Sequence, residues 1–518
     1  MNEAATPMSQ SARYPWYILS VLVLVYVLNY IDRQILTILS EDLKRDLHLT
    51  DSDLGFLYGT AFGVFYGLFG IPLGKLADSW NRVRLISLGL TLWSSMTMFS
   101  GFSRSFGQLA GARIGVGVGE ATAGPSAYSL ISDYFPKRQR ATAIAIYTSG
   151  LYIGGGLSLF IGGAVVKQWN LAFPTGSGPL GLVGWQAAFL AVGLPGLLLA
   201  LWVSTLREPI RGLIDGVPTA PSATPFKVFG EELISILPPL TLIGAMRRGP
   251  RALFMNVAVA GFIAAIAWQF YRLTGDGKQW GAIGLGSYAV FSWATTLRER
   301  DPPAFELIWK TPAFLCVVVG YGLISFIAYA VAAFSPAYVI RTFGADPQTA
   351  GFLLGGAGAA GGALGVVLGG IVADRLRRTN PSGRIIVALV GGIAPLVPFV
   401  MAFTTKSVIV YYAVQMPMTM LSSAALGASA ATAVDLVLPR MRGTATATFF
   451  IGTTLIGIAL GPYIAGKIST VTGDLATGML SLLAVAPISL TCLVMAYRLV
   501  PKAEVTLLDR ARAAGEPV

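Results

Sequence analysis

The chain has 518 residues, of which 54% are hydrophobic and only 12% charged, and its formal net charge is +12. Soluble globular proteins carry about 25% charged residues, so this composition excludes an ordinary soluble enzyme and points to a polytopic membrane protein. The basic residues stand in short loops between apolar runs, where they signal topology rather than a nucleic-acid surface.

Residues 1–14 are polar and show no cleavable-signal pattern. Apolar runs close to the ~20 residues that a bilayer requires follow at 15–38, 54–76, 84–104, 107–132, 141–166 and 184–206. Between that series and the next, Pro209, Pro218, Pro221, Pro225, Pro238 and Pro239 mark a linker with an interfacial helix at most. Two uncharged runs, 253–271 and 281–297, then flank the polar turn RLTGDGK. A second series occupies 311–340, 350–373, 384–404, 407–433, 444–467 and 478–500. The expected fold is all-α: a six-helix bundle over 1–207, a linker with an extra helical hairpin over 208–310, a second six-helix bundle over 311–502 and a tail over 503–518.

The cationic loops fall on one side. Arg82, Arg84, Lys137, Arg138, Arg140, Arg207 and Arg211 share it with Arg375, Arg377, Arg378, Arg384, Arg440, Arg442, Arg498 and Lys502. The positive-inside rule then places both termini in the cytoplasm. With no organelle address or usable glycosylation sequon, a bacterial inner membrane is the expected location.

The two series are copies. Gly74-x3-Asp78-x3-Arg82 recurs as Gly370-x3-Asp374-x3-Arg378, and Asp133-x6-Arg140 recurs as Asp435-x6-Arg442, each followed by a Thr-Ala pair after one small residue. Parallel repeats of this kind build two-half transporters whose substrate sits between the halves. The duplicated acid–arginine spacing is expected to act in gating.

Charges inside the spans mark the functional candidates, because each costs roughly 3 kcal/mol or more at bilayer depth on insertion scales. Asp32 and Arg33 lie late in the first run; Arg113 and Glu120 share one face of the fourth, two helical turns apart. An acid pair with arginines in a low-dielectric cavity can exchange a proton as its surroundings change. Asp32, Glu120 and Arg113 are therefore the expected proton-coupling residues. The second half has almost no charge inside its spans. Tyr321, Phe326, Tyr329, Tyr412 and Gln415, with Tyr30, Arg33, Phe62 and Tyr66 of the first half, suit a substrate with a long apolar part and a small polar head.

Other chemistries lack material. His48 is the only histidine, and Cys316 and Cys492 lie in separate apolar runs as expected free thiols, so neither a metal site nor a catalytic constellation is expected. Gly356-x-Gly358-x-x-Gly361 matches a dinucleotide fingerprint, but it follows no strand, and no GxxxxGK[ST] loop is present. No cofactor is expected; energy has to come from an ion gradient or from the substrate's own.

GKLADSWNR (74–82) and GGIVADRLRR (369–378) resemble the cytoplasmic loop signature of the major facilitator superfamily. Within that family, NYIDR (29–33), RIGVGVGEA (113–121) and the following SDYFPKRQRA are similar to the spinster subgroup. The resemblance implies the major facilitator fold and alternating access, with Asp32 and Glu120 as proton sites beside Arg113. It also implies protons and a lysolipid or sphingoid-phosphate-like substrate as partners of a chain that acts as a monomer in the bilayer. A proton symporter of small organic anions is the alternative, because such carriers share an aspartate–arginine pair in the first helix. Two positions depart from the family pattern. Asn81 stands where the loop signature has Gly, and Gly155 replaces the Pro of the fifth-helix antiporter motif.

Overall fold

The computed structural model describes residues 13–174, 177–215 and 223–517. The polar start of the chain, Pro218 and Pro221 lie outside the described residues. Among the described residues the chain forms helices and turns and no strand. Only helices and closed barrels satisfy every backbone N–H and C=O within hydrocarbon, which is why each apolar run becomes a helix.

The first half contains α1 (Tyr14–Ile38), α2 (Asp51–Ser79), α3 (Arg82–Gly101), the broken α4 (Phe106–Glu120 and Ala123–Tyr134), α5 (Lys137–Ala172) and α6 (Gly184–Ser204). Pro125 has no N–H to offer the Ala121 carbonyl, and the Thr122 hydroxyl donates to Gly119 O at 2.8 Å; the helix breaks there. Asn81 acts locally, since its Oδ1 accepts the Arg84 N–H at 2.8 Å and caps α3. His48 ends the short helix Ser40–Leu47 in the left-handed region, at φ 52°.

The expected linker helix is two helices, α7 (Pro225–Ile236) and α8 (Leu240–Arg248), bent by 93°. The two uncharged runs form α9 (Pro250–Thr274) and α10 (Gly277–Arg300), followed by the short α11 (Pro302–Trp309). Only 6% of the most apolar window of α9 is buried, so nearly all of that apolar helix lies on the outside of the molecule. In contrast, α10 turns Gln279, Gly286, Ala289 and Trp293 inward at helical spacing, against Thr60, Val64 and Ile71 of α2.

The second half contains α12 (Pro312–Phe343), α13 (Pro347–Thr379), α14 (Gly383–Thr404), α15 (Val408–Asp435), α16 (Pro439–Thr472) and α17 (Leu475–Val505), with a short α18 (Leu507–Ala513) behind it. Cys316 on α12 and Cys492 on α17 are free and half-buried.

The halves meet most extensively at two crossings, α5 against α13 and α2 against α16. Glycine sets the distance at both, since small residues let membrane helices approach without a hydrophobic driving force. A Cβ at Gly156 would lie 2.7 Å from the Gly355 carbonyl oxygen, and one at Gly55 2.7 Å from the Pro462 carbonyl carbon. At the second crossing, π-helical turns in both helices, Phe56–Thr60 and Thr454–Ile458, face each other, and the Thr60 hydroxyl donates to Ala459 O at 2.6 Å.

Gly155 and Gly156 make a matched pair, because a Cβ at Gly155 meets nothing within 4 Å. Gly155→Ala is expected to leave the melting temperature of the purified protein unchanged or slightly raised. Gly156→Ala is expected to destabilise by about 1–3 kcal/mol through overpacking. Melting both in one detergent decides it; equal temperatures would mean that the crossing is not sterically limited.

Candidate functional site

The four intramembrane charges of the first half lie within one buried cluster, in pairings their order along the chain does not show. Arg33 is the partner of Glu120, with Nη2 and Nε donating to Oε2 at 2.7 and 3.2 Å. Three rings cover the Arg33 guanidinium, with centroids at 4.6 Å (Tyr30), 4.4 Å (Phe62) and 5.0 Å (Tyr66). Such cation–π contacts strengthen when water is excluded. Arg113 spends its donors on backbone instead, reaching Asp32 O at 3.2 Å, Arg33 O at 3.4 Å and Leu57 O at 3.5 Å. Leu57 lies in the π-helical turn of α2, a distortion that leaves a carbonyl open to such a donor. Both Asp32 carboxylate oxygens are buried and face the Trp93 indole N–H and the Thr97 hydroxyl of α3, none of them in full hydrogen-bond geometry.

Between the halves lies a cavity of about 270 Å³. Of the sequence candidates, Tyr30, Tyr321, Tyr329 and Gln415 line it. Phe62, Tyr66 and Arg33 form the layer behind Tyr30, and Arg33 Nη1 donates to the Tyr30 hydroxyl at 3.3 Å. Phe326 is packed in the core at 5% exposure, and Tyr412 stands edge-on to Tyr411. Composition alone passed over Gln34, Tyr152, Ser335, Thr419, Ser422 and Ser423, which also line the cavity. A signal was present: 415, 419, 422, 423 and 426 fall on one face of α15.

One end of the cavity is closed by a polar network across the halves. Arg341 Nη1 and Nη2 reach Asp51 at 2.8 and 3.0 Å, and Nη2 reaches Glu41 at 2.7 Å. Lys44 and the Ser469 hydroxyl donate to the same Asp51 carboxylate at 2.8 and 2.6 Å. The turn between α9 and α10 joins in: Asp276 accepts from Tyr463 and Lys467 at 2.8 Å and from Ser52 at 3.3 Å, and Lys278 pairs with Asp53. On the α5–α13 side, Lys167 reaches Asp346 at 3.3 Å.

The duplicated loop residues sit at the other end. Arg82, fully buried, pairs with Asp133, with Glu208 at 2.7 Å and with the Ser129 hydroxyl at 2.8 Å, whereas Asp78 is exposed. In the second half Arg384 is the residue that pairs with Asp435, and it also reaches Asp374 at 3.0 Å; Arg378 is exposed. Arg384 is thus the structural counterpart of Arg82, and the second loop is longer than its copy. Gly74 packs against Pro125, Arg140 donates to Ser132 O at 2.7 Å, and Arg442 is exposed. Each of these named ion pairs lies within one half or ties it to the segment between the halves. Tyr14 and Arg510, near the two described chain ends, lie at this end too: the Tyr14 hydroxyl accepts the Arg207 N–H at 3.0 Å, and Arg510 donates to Thr311.

A family model described as Major Facilitator Superfamily matches residues 22–232 and 233–462. The chain belongs to the Major Facilitator Superfamily. It is 27% identical over 482 residues to an MFS-type efflux pump of Mycolicibacterium smegmatis, covering 92% of this chain and 91% of that one. It is 25% identical over 477 residues to protein spinster homolog 1 of Xenopus tropicalis, covering 89% and 74%. A crystal structure of a bacterial homolog of the human lysosomal transporter Spinster, in an inward-facing and unoccupied conformation, superposes with a TM-score of 0.66 at 26% identity, over 97% of this chain and 98% of that one. The chain is thus a spinster-like membrane transporter, and its relatives are transporters rather than enzymes.

Contacts that close one end of the cavity have to break for that end to open. The Asp51 side chain is 3% exposed and holds Arg341 from the opposite half. Asp51→Ala is expected to raise the population open at this end about tenfold, equivalent to ~1.4 kcal/mol. Spin labels at Arg45 and Val471, exposed on opposite halves, would report it as a longer-distance component. An unchanged distance distribution would mean that the network does not hold this end shut.

Proposed function

We propose that this transporter works by alternating access, couples movement of an amphipathic, lipid-like molecule to protons, and uses Asp32, Glu120 and the two arginines as its proton-responsive site. The supporting observation is that Tyr30 joins the charge cluster to the cavity. Tyr30 lines the cavity and accepts a hydrogen bond from Arg33, whose other donors hold Glu120. A molecule pressing on Tyr30 shifts the guanidinium. Glu120 then loses its counter-charge in a site that excludes water, where an unpaired carboxylate is costly and takes up a proton. Asp32 forms no ion pair, since Arg113 beside it donates to backbone carbonyls instead.

The amphipathic substrate is supported by the lining, where Leu151, Ile324, Leu354 and Phe399 face the same space as the hydroxyl-bearing side of α15. The NYIDR (29–33) and RIGVGVGEA (113–121) stretches that hold these charges resemble the spinster subgroup. Under the positive-inside reading, the arginine-rich end with both described chain ends faces the cytoplasm of a bacterial inner membrane. The Asp51 end is then the closed outer gate, and the chain stands inward-facing. The hairpin α9–α10 crosses the membrane beside α2 and acts with the chain as a monomer.

Glu120→Gln keeps the shape and one hydrogen-bond acceptor but cannot exchange a proton. In liposomes it is expected to reduce pH-driven transport at least a hundredfold while changing equilibrium binding less than threefold. Internal pH would be followed as a lysolipid or a panel of short organic acids is added. Proton movement triggered by the acids alone would move the substrate to small organic anions, with Arg113 or Arg33 as contact. Proton movement in Glu120→Gln at the parent rate would remove Glu120 from the coupling site.

A further inference from the structure

The hairpin α9–α10 belongs to neither six-helix bundle, yet at the Asp51 end it is bonded to both. Its turn carries Asp276 and Lys278, which face opposite ways. Asp276 accepts the Tyr463 hydroxyl and Lys467 Nζ of α16, each at 2.8 Å, and Lys467 also donates to Thr274 O at 2.6 Å. Lys278 pairs with Asp53 of α2 and stands 3.8 Å over the Phe106 ring of α4. The Ser52 hydroxyl adds a longer first-half bond to Asp276 at 3.3 Å. Gln279, fully buried, repeats the bridge: its Nε2 donates to Ala459 O of α16 at 3.2 Å, and its Oε1 lies 2.7 Å from the Thr60 hydroxyl of α2.

These bonds span the parts of α2 and α16 that separate when this end opens. Ser469 donates to Asp51 at 2.6 Å and Gly55 lies against Pro462, so residues 51–60 and 459–469 form the closed seam. Once they move apart, the turn cannot stay bonded to both. The opposite end of α10 indicates which half it follows. Asp301, just past α10, accepts two Arg440 donors at 2.6 and 3.0 Å, and Ala304, Leu307 and Ile308 of α11 share one buried cluster with Phe314 and Val317 of α12. That end is fastened to the second half. Glu299 and Arg300 pair with Arg248 and Glu232, within the inserted segment itself. Toward α2, the deeper part of α10 offers apolar packing, with Gly286 against Val64 and Trp293 in one cluster with Leu68 and Ile71. Apolar surfaces of this kind can shear without baring a polar group.

We infer that the inserted hairpin is a clasp on the Asp51 end: it travels with the second half, and its bonds to Asp53 and Thr60 are the ones that let go on opening. This rests on the alternating-access reading given above. Asp276, Lys278 and Gln279 are positioning residues, since they act on the seam between the halves and not on the cavity. The clasp runs in series from Asp53 through Lys278, the turn and Asp276 to Lys467, so cutting one link releases it. The Arg341–Asp51 contact, in contrast, joins the halves directly and acts in parallel.

The test is pulsed electron-spin distance measurement on the full chain in nanodiscs. Spin labels are placed in pairs at Arg45, Val471 and Leu273, exposed on the first half, the second half and the hairpin. With Asp51→Ala to open this end, the 273–45 distance is expected to gain a longer component while 273–471 stays unchanged. Lys278→Ala and Asp276→Ala are each expected to raise the open population in the 45–471 pair by about three- to tenfold. The two together are expected to do no more than the larger single change, as links in series require. Asp276→Lys combined with Lys467→Asp is expected to restore the parent population, which a misfolded variant could not do. Multiplying effects in the double variant, or no shift from either change while Asp51→Ala opens the end, would overturn the clasp and leave alternating access standing. A 273–471 distance that lengthens while 273–45 holds would overturn the assignment to the second half. The absence of a longer component in every variant and at every pH would overturn both readings.

Discussion

Charge inside hydrocarbon is expensive, and the first half of this transporter is arranged around containing it. Four charged side chains occupy one small volume, yet only one conventional ion pair, Arg33 with Glu120, forms there. Three rings stand over the guanidinium, and the second arginine is satisfied by three carbonyls, one of them in a π-helical turn. The local irregularities of α2 and α4 lie next to these groups, as expected where irregular backbone is tolerated only when buried in protein. The remaining carboxylate, Asp32, faces the Trp93 indole and the Thr97 hydroxyl of α3.

The two halves meet through geometry that glycine makes possible. At the α5–α13 and α2–α16 crossings the backbones meet almost directly, without long side chains in between. Closure at the Asp51 end is polar, with carboxylates of one half meeting cations and hydroxyls of the other. Polar closure of this type can be exchanged for water, whereas a buried apolar seam of the same area could not open readily. The inserted hairpin adds Asp276 and Lys278 to the closure, so a segment outside the two six-helix bundles takes part in the contact between them.

Much of the architecture was legible in the chain. The twelve runs, the duplicated motifs and the extra pair of apolar segments correspond to helices with boundaries displaced by a few residues, because helices extend past the hydrocarbon into their caps. The candidate charges converge as their spacing implied. Their partners did not follow from spacing: Arg33, adjacent to Asp32, turns away from it to Glu120 on another helix, and Arg113 ends on backbone. The loop repeat misled in one place, since the residue that answers Arg82 is Arg384 and not Arg378. An insertion in a loop shifts register without altering the motif that precedes it. Phe326 and Tyr412 carried the right chemistry on the wrong face, while Ser335, Thr419, Ser422 and Ser423 looked like ordinary helix residues.

Sequence by itself determined the helical, membrane-embedded class, the two-fold internal repeat and the identity of the intramembrane charges. These follow from local properties — hydropathy over ~20 residues, loop charge and motif spacing — that need no knowledge of which helices touch. Tertiary structure alone decided which carboxylate has a partner, which end of the cavity is shut, and that the cavity wall carries no charge among the described residues. Those features depend on the rotation of each helix about its axis and on which helices face one another across the halves. Lipid is as apolar as leucine, so hydropathy leaves that rotation open, and close packing of small residues fixes it.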